Sequence, residues 1–423
     1  MLAINGGEPF ITQYFSKYNP IQAEEISEAA AVLKSGTLSD FLGASGSKFL
    51  GGKYVQALEE TTAQVFGSKY CVSFNSWTSG LTAIIGSIPD LNQGDEIITS
   101  PWTMSATATA ILQVGAIPVF ADISSLDFQM TEENIVSLIG PRTRGILAVD
   151  IFGRSSNYKM LKDICNRYNL YLFSDSAQAP GAKFNGKYIT QYTDVGGYSL
   201  NYHKHIHSGE GGLALTDNEE FAKRMRLIRN HAESVVTESE EFQLQRMIGN
   251  NYRLGEIEAS IARPQIKRID SIVEDRIRAG NNFVRQLSVL PHIKLPELSS
   301  DSRNVFYILP IIYNPVENVS RDYLVKALTA EGVPGLVPNY TNIHRLPLFS
   351  SAVNEKSNRF PWSSNSSSIC FSTYGYGACP VAEELFDLKF FGLHICSFNY
   401  SSAEIELVVG AFKKVWQCLG WIE

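Results

Sequence analysis

The sequence predicts an α/β fold in which a mostly parallel sheet is covered by helices on both faces, forming three layers. Two observations lead to this prediction. Short apolar segments rich in β-branched and aromatic residues, such as YCVSF and IPVFADI, lack the period-2 alternation of a half-exposed strand. These segments alternate with segments of helical apolar spacing between residues 54 and 175. Strands buried on both faces and joined by helices are typical of a parallel sheet.

The elements follow one another in a regular order. A first helix is predicted over residues 20–35, behind a proline, and the Gly- and Ser-rich residues 35–52 predict a loop. A second helix, YVQALEETTAQVFG, then leads into the repeating pattern of strand and helix. The strands of that pattern are predicted at YCVSF, DEIITSP, IPVFADI, RGILAVDIFG and LYLFSDS. The helices between them are predicted at LTAIIGSI, at residues 105–115, near residue 132 and at residues 158–168.

The alternation stops near residue 265. A long charged helix is predicted over residues 265–287, followed by the strand-like VFYILPIIY and by turns rich in Ser and Asn. A last helix, SAEIELVVGAFKKVW, begins behind a serine that suits an N-cap. We therefore predict a large domain with an N-terminal helical segment over residues 1–265 and a smaller C-terminal α/β domain over residues 266–423.

Composition narrows the class of protein. The 423 residues are 44% hydrophobic and 19% charged, which is ordinary for a globular enzyme, and the net charge of −7 argues against nucleic-acid or anionic-membrane partners. The N-terminus lacks the pattern of a secretory signal, and no run of about 18 apolar residues could span a bilayer. Six cysteines without a CxxC pair indicate reduced thiols, mostly buried. These features predict a cytoplasmic protein.

The stretch GYSLNYHKHIHSGEGGLALT places Lys204 among polar residues and just before a GEGG turn. A lysine whose surroundings favour the neutral amine can attack an aldehyde and form a Schiff base, which is the chemistry of a pyridoxal 5'-phosphate (PLP) lysine. Upstream, Asp175 ends an apolar strand segment, where a carboxylate could keep the pyridine nitrogen of PLP protonated. Alone, each residue has a more ordinary interpretation, a surface lysine and a helix-capping aspartate. Together they predict a PLP site.

Further motifs along the chain agree with one family in both order and spacing. They are KSG, NSWTSGL, GDEIITSP, TATAILQVGAIPVFADI, PRTRGILAVDIFG, FSDSAQAPGA, DVGGYSL, KHIHSGEGG, GNNYRLGEIEASIA and CPVAEE. With these motifs the sequence resembles the DegT-like (DegT/StrS) sugar aminotransferases, PLP-dependent enzymes of the aspartate-aminotransferase fold (fold type I). The resemblance runs from about residue 19 to the C-terminus.

The resemblance implies roles for individual residues. Lys204 would carry PLP as a Schiff base, Asp175 would pair with the pyridine nitrogen, and Gln178 would lie near the phenolic oxygen. Asn251, in GNNYR, matches an asparagine that reaches the phosphate of the neighbouring subunit, which implies a homodimer with shared active sites. The phosphate would be bound by hydroxyl and backbone N–H groups of Ser76, Trp77, Thr78 and Ser199.

The sequence departs from the family pattern around the cofactor ring. Trp77 stands where a small residue is usual, and Met104 stands where an aromatic residue normally stacks on the ring. Trp102 or Trp77 could take over that stacking role. Asp150 and Asn201 also replace the usual residues and could alter the substrate pocket.

Histidines near Lys204 suggest two alternatives. A small branch of the family has histidine at the lysine position and catalyses dehydration, but counting back from GEGG aligns Lys204 with that position and favours transamination. The HxHxH pattern of His203, His205 and His207 could place three imidazoles on one face of an extended segment and bind a metal. We interpret them as polar active-site residues instead and expect no metal.

Two residues of the C-terminal part are further candidates. His344 matches a family position near the substrate, and Arg345 beside it could meet an anionic group of the substrate. A loop histidine and a solvated arginine are the alternative interpretation.

The sequence thus predicts a PLP-dependent aminotransferase that moves an amino group from glutamate to a keto-sugar in amino-sugar biosynthesis, as for a surface polysaccharide. Lys204 would act in both half-reactions, first releasing the cofactor and then moving a proton. The acceptor could instead be a Kdo-type 8-keto-3-deoxy-octulosonate or a cyclitol ketone. A PLP-binding regulator and a metal-dependent hydrolase are the remaining alternatives.

Overall fold

The computed structural model describes residues 1–232, 247–298, 301–354, 362 and 371–423. In chain order the strands are β1 (Tyr70–Phe74), β2 (Glu96–Thr99), β3 (Ile117–Phe120), β4 (Thr143–Val149), β5 (Tyr171–Asp175), β6 (Lys183–Phe184), β7 (Lys187–Tyr188), β8 (Val195–Ser199), β9 (Gly212–Thr216), β10 (Ile293–Lys294), β11 (Ser302–Arg303), β12 (Leu309–Tyr313), β13 (Leu336–Val337) and β14 (Phe390–Leu393). The helices are α1 (Ala23–Ser35), α2 (Lys53–Phe66), α3 (Trp77–Gly86), α4 (Ser105–Gln113), α5 (Glu132–Ser137), α6 (Tyr158–Tyr168), α7 (Glu219–Arg229), α8 (Glu256–Lys267), α9 (Ile269–Leu287), α10 (Arg321–Ala330), α11 (Pro347–Asn354), α12 (Pro380–Glu384) and α13 (Ser402–Cys418).

Within the described ranges, seven strands form the main sheet in the order β1-β9-β8-β5-β4-β2-β3. The neighbouring pairs β8-β5, β5-β4, β4-β2 and β2-β3 are parallel, and β9 alone runs antiparallel to both of its neighbours. The predicted α/β fold with a mostly parallel sheet is confirmed.

Neighbouring residues along a strand of the main sheet point to opposite faces and pack in different hydrophobic cores. In β2, Ile97 packs in one core and Ile98 in the other, and in β9 Ala214 and Leu215 are divided in the same way. Helices α3, α4 and α7 contribute to the first core, and α2, α6 and α8 contribute to the second. Because every strand buries both faces, the apolar segments show no period-2 alternation in the sequence.

A second sheet lies in the C-terminal part of the chain. Its antiparallel strands follow the order β10-β12-β14-β13 and share a core with α9, α10 and α13. Leu2 and Ile11 from the N-terminus belong to this same core, and Glu331 accepts hydrogen bonds from the backbone N–H groups of Ala3 and Phe10. The N-terminal residues therefore pack against the C-terminal part. The domain boundary at residue 265 stays a prediction.

Several elements differ from the sequence prediction in their bounds. The first helix begins at Ala23 and not at residue 20, and α3 begins at Trp77, ahead of the predicted LTAIIGSI. Two further differences have a cause in tertiary contacts. The helix predicted over residues 265–287 is wrong at its start, because α8 ends at Lys267 and α9 begins at Ile269. Between them the backbone of Arg268 leaves the helical conformation, and its guanidinium pairs with Glu25 of α1.

The strand predicted over residues 305–313 covers only Leu309–Tyr313. The preceding residues instead hydrogen-bond to the turn that follows β4, through Val305 N–H to Gly153 O and Tyr307 N–H to Phe152 O.

The cysteines of the described residues are free thiols. Cys71, Cys165, Cys379 and Cys396 are buried and Cys418 is exposed, whereas Cys370 lies outside the described residues. No helix in the described ranges is at once long enough and apolar enough to cross a bilayer.

A buried ion pair joins α2, β1 and α7 beside the main sheet. Arg229 is fully buried, and its guanidinium donates to Glu59 Oε1 and to the carbonyl oxygen of Ser73. The same Glu59 oxygen accepts from the N–H and the hydroxyl of Ser73 at 2.9 and 2.8 Å. The network therefore pairs two buried opposite charges, while Nε and Nη2 of Arg229 have no hydrogen-bond partner among the described residues.

We expect Arg229→Leu to lower the free energy of unfolding by about 3–5 kcal/mol, because removal of one partner leaves the Glu59 carboxylate buried and unpaired. Denaturant titration followed by circular dichroism measures this loss. Arg167→Leu is the matched control, since Arg167 pairs with Glu132 where both side chains are half exposed, and its cost should stay below about 1 kcal/mol. Equal costs for the two variants would contradict the prediction.

Candidate active site

A cavity of about 170 Å³ lies at the carboxyl ends of the parallel strands. The last residues of β4, β5 and β8, which are Val149, Asp175 and Ser199, all line it. Ligands of open α/β sheets bind at this edge. Of the residues predicted from the sequence, the cavity brings together Ser76, Trp77, Thr78, Met104, Asp175, Gln178, Ser199 and Lys204.

Lys204 enters the cavity from the turn between β8 and β9. The side chain is 9% exposed, and its Nζ lies 4.6 Å from the ring centroid of Tyr307. Burial lowers the pKa of Lys204 to about 8, while the negative charge of Asp175 opposes this shift. About a tenth of Lys204 is therefore the neutral, nucleophilic amine at pH 7, far more than for a lysine with the ordinary pKa of about 10.4.

Sequence reasoning missed Tyr307. This residue lies in the segment that bends toward the turn after β4, and its carbonyl oxygen accepts a hydrogen bond from Cys396 N–H. No local motif marks it, because it is far from Lys204 in sequence and reaches the amine only through tertiary pairing. Its ring covers one side of the lysine head group.

Asp175 is held by donors on both of its carboxylate oxygens. The indole N–H of Trp77 donates to Oδ1 at 2.8 Å, and the hydroxyl of Thr107 donates to Oδ2 at 2.7 Å. The N–H of Ala177 adds a weaker bond to Oδ1 at 3.2 Å. A carboxylate that accepts several hydrogen bonds is stabilised in its charged form. Sequence reasoning also missed Thr107, although it lies in the first turn of a helix that follows a buried strand.

Part of the cavity lining presents hydroxyl and backbone N–H groups. Ser76 is the N-cap of α3, and its hydroxyl accepts from Ser79 N–H at 3.1 Å. Trp77 and Thr78 supply the first backbone N–H groups of that helix, which have no partner within it. Ser199 adds a second hydroxyl, at the end of β8. A helix N-terminus with neighbouring hydroxyls can bind an anion such as phosphate without a cluster of basic residues.

Both polar atoms of the Gln178 side-chain amide form hydrogen bonds. Its oxygen accepts from Phe152 N–H and its nitrogen donates to the hydroxyl of Tyr340, both at 2.8 Å. Tyr340 in turn stacks on Trp102, with ring centroids 6.3 Å apart. Gln178 is thereby fixed in orientation at the cavity wall.

The three residues considered for stacking on a cofactor ring differ in their surroundings. Trp102 is fully buried beside Tyr340 and does not line the cavity, so its proposed stacking role is wrong. Trp77 lines the cavity but is 5% exposed, and its indole N–H is directed to Asp175. Met104 lines the cavity and is 61% exposed, and its contact with a cofactor ring stays a prediction.

The histidines beside Lys204 have different surroundings. His203 lines the cavity, whereas His205 is fully buried and its Nε2 lies 2.9 Å from the carbonyl oxygen of Val305. Burial lowers the pKa of His203 to about 4 and that of His205 to about 3. His207 is held at its backbone by the side chain of Gln265. Within the part of the chain that the structure describes, no group of three His, Cys, Asp or Glu residues is placed to hold a metal ion.

The structure does not bring His344 and Arg345 to the cavity. His344 is fully buried, and its Nε2 lies 2.9 Å from the carboxylate of Glu383. Arg345 donates to both oxygens of Asp387 at 3.1 and 3.0 Å. These pairs link helix α12 and the turn that follows it to the preceding loop, so both side chains already have partners away from the cavity.

Asn251 is exposed, and its side-chain oxygen accepts from Arg253 Nε at 2.8 Å. Its contact with the phosphate of a neighbouring subunit stays a prediction.

Asp150 contributes a second carboxylate to the cavity lining. It is fully buried and accepts hydrogen bonds from Ser156 N–H, the hydroxyl of Tyr158 and the hydroxyl of Ser176. Burial raises its pKa to about 6 despite these donors. Asp150, which departs from the family pattern in the sequence, therefore stabilises the cavity wall through its hydrogen bonds.

Comparison with known proteins agrees with this geometry. Residues 21–376 match the model of the DegT/DnrJ/EryC1/StrS aminotransferase family, which is most of the chain. The chain belongs to this family. Because the matched family is one of aminotransferases and the similar relatives include aminotransferases, we identify the chain as an aminotransferase, as the sequence motifs predicted.

Several relatives of the family match over most of their length. A GDP-perosamine synthase of Vibrio cholerae is 28% identical over 298 residues, which cover 70% of this chain and 79% of the relative. A UDP-N-acetyl-3-dehydro-alpha-D-glucosamine 3-aminotransferase of Acidithiobacillus ferrooxidans is 30% identical over 292 residues, which cover 69% of this chain and 76% of the relative.

Solved structures share the fold. PseC of Helicobacter pylori, an aminotransferase involved in the biosynthesis of pseudoaminic acid, superposes with a TM-score of 0.78 at 23% identity, over 96% of this chain and 99% of PseC. A GDP-4-keto-6-deoxymannose-3-dehydratase with a trapped PLP-glutamate geminal diamine superposes with a TM-score of 0.77 at 22% identity, over 94% of this chain and 100% of the dehydratase. At sequence identities of 23% and 22%, these superpositions show that the fold is shared and nothing more.

We expect Lys204 of the cofactor-free protein to react with an amine-specific acylating reagent at a rate that rises through about pH 8. Below that pH most of the amine is protonated and unreactive, and above it most is neutral, because burial has lowered its pKa. Peptide mapping by mass spectrometry measures the rate, with exposed lysines such as Lys34 as internal references, since ordinary lysine amines have a pKa of about 10.4. A reactivity curve that coincides with those of exposed lysines would contradict the burial effect.

Proposed function

We propose that this aminotransferase uses PLP, attached to Lys204, to transfer an amino group from glutamate to a keto-sugar in amino-sugar biosynthesis. The observation that carries the proposal is the placement of the Lys204 amine and the Asp175 carboxylate in one cavity at the carboxyl edge of the sheet. The relatives named above act on nucleotide-linked sugars according to their names, which supports this substrate class.

The residues of the cavity fit PLP by their chemistry. The cofactor has an aldehyde, a pyridine nitrogen and a phosphate, and the cavity offers an amine at Lys204, a carboxylate at Asp175 and an anion site at the start of α3. When bound, PLP supplies an electron sink that stabilises negative charge on the α carbon of the amino donor. Asp175 would hold a proton on the ring nitrogen, because its own charge is stabilised by its donors.

Lys204 would both hold the cofactor and move a proton. Its lowered pKa supplies the neutral amine needed for covalent attachment. Once released, the same Nζ would accept the proton that leaves the α carbon of the donor. His205 cannot replace it in this role, because its ring is buried against Val305 outside the cavity. This arrangement supports transamination rather than the dehydration that a histidine at position 204 would imply.

The remaining parts of the proposal concern donor, acceptor and assembly. The PLP-glutamate adduct of the structurally similar dehydratase supports glutamate as donor. A nucleotide-linked keto-hexose is the favoured acceptor, and a Kdo-type 8-keto-3-deoxy-octulosonate or a cyclitol ketone is the alternative. We place the enzyme in the cytoplasm as a homodimer in which Asn251 reaches the partner's site, and the free cysteines are consistent with a reducing compartment.

We expect the protein mixed with PLP to absorb at the violet edge of the visible spectrum and, after borohydride reduction, to carry the cofactor on the peptide that contains Lys204. Peptide mapping measures the attachment site, and Lys204→Arg is the control that should remain unlabelled. A label on another lysine, or no band at all, would overturn the proposed chemistry of the site.

We expect glutamate to abolish the visible band of the loaded protein, and a keto-sugar to restore it. A panel of nucleotide-linked keto-hexoses, a keto-octulosonate and cyclitol ketones then identifies the acceptor class by the compound that restores absorbance fastest. Bleaching by glutamate without recovery with any member of the panel would refute the keto-sugar assignment. A band that glutamate does not change would favour a PLP-binding regulator.

A further inference from the structure

The indole ring of Trp77 fills a slot that is bordered by two glycines. A Cβ atom on Gly80 of α3 would lie 2.8 Å from the Trp77 ring, and one on Gly197 of β8 would lie 2.3 Å from it and 2.0 Å from the carbonyl oxygen of Leu213. A third glycine, Gly212 of β9, lies against the backbone of Trp77, where a Cβ atom would be 2.7 Å from the Trp77 Cα. A larger residue at position 80 would displace the ring, and one at position 197 or 212 would also collide with backbone. The sequence therefore provides for a bulky side chain at a position where its family usually has a small one.

The slot gives the ring one polar contact. Trp77 is 5% exposed, and its indole N–H donates to Oδ1 of Asp175 at 2.8 Å. The hydroxyl of Thr107 donates to the other carboxylate oxygen, Oδ2. Indole nitrogen is a donor only, and an ionised carboxylate is an acceptor only. In a buried setting such a bond favours the negative form of the carboxylate and fixes its direction.

We propose that Trp77 is a positioning residue for the cofactor, whose indole N–H holds the Asp175 carboxylate in the direction of the ring nitrogen of PLP. The proposal rests on the proposed function, because it assigns a role at the same site. Packing alone is the competing explanation for Trp77, since a phenyl ring would fill most of the slot equally well. The two explanations differ only in what the N–H contributes.

The test compares Trp77→Phe with Trp416→Phe, each of which removes an indole N–H from a buried ring. Trp416 is fully buried in the C-terminal core and donates to Pro291 O at 2.8 Å, so it is matched in chemistry and lies in a different core from Trp77. The cofactor-free proteins are titrated with PLP, and the dissociation constant and the visible absorbance are followed from acidic to alkaline pH. Thermal unfolding of each cofactor-free protein measures the structural cost separately.

We expect Trp77→Phe to weaken PLP binding about tenfold at every pH measured, the usual effect of losing a hydrogen bond to a charged group. The visible absorbance of the loaded variant should also change, because the Asp175 carboxylate is no longer held in one direction. Trp416→Phe should leave the affinity and the absorbance unchanged although it lowers the unfolding temperature. Unchanged affinity and absorbance in Trp77→Phe would overturn the proposal.

A double-mutant cycle with Asp175→Asn provides a second test. If the N–H acts through the charge of Asp175, the loss caused by Trp77→Phe should largely disappear in the Asp175→Asn background. Equal losses in both backgrounds would assign Trp77 to packing and refute the positioning role. Wild-type protein that fails to attach PLP at Lys204 would overturn the proposed function and this inference together. Wild-type attachment with an unaffected Trp77→Phe variant would overturn the inference alone.

Discussion

The site depends on the burial of two opposite ionisable groups, Lys204 and Asp175, in one small cavity at the edge of the sheet. Removing a charge from water is costly, and the protein resolves this cost differently for each group. The negative charge of Asp175 favours the charged form of Lys204, but burial is the larger effect and shifts Lys204 toward its neutral amine. Asp175 instead receives hydrogen-bond donors on both of its oxygens. The contrast places a nucleophile and a hydrogen-bonded carboxylate in the same cavity.

The fold could be predicted well where local sequence determines structure. The strand YCVSF and the helix over residues 158–168 appear with the predicted bounds, because buried strands and amphipathic helices leave periodic patterns. The break at Arg268 could not be predicted, since it accompanies a contact with Glu25 of α1, far away in sequence. The segment before β12 likewise has a strand composition, but its hydrogen-bond partners lie in the turn after β4. Tertiary pairing overrode local propensity at both places.

The site could be predicted only as far as its motifs extend. The positions of Lys204, Asp175 and the N-terminus of α3 follow from strand ends and turns, which the sequence displays directly. The direction of a side chain does not, and this is why the roles considered for Trp77 and Trp102 did not include the contacts that the structure shows. His344 resembled a substrate-binding residue in sequence, but its partner Glu383 lies in a helix that only the fold brings near.

The packing around Trp77 also constrains which substitutions the chain can accept. A Cβ atom on Gly197 or Gly212 would collide with backbone atoms, so these two glycines are required whatever residue stands at position 77. A Cβ atom on Gly80 would first meet the indole ring, so this glycine is required by the ring itself. Positions 77 and 80 should therefore vary together among relatives, with a side chain at position 80 only where position 77 is small.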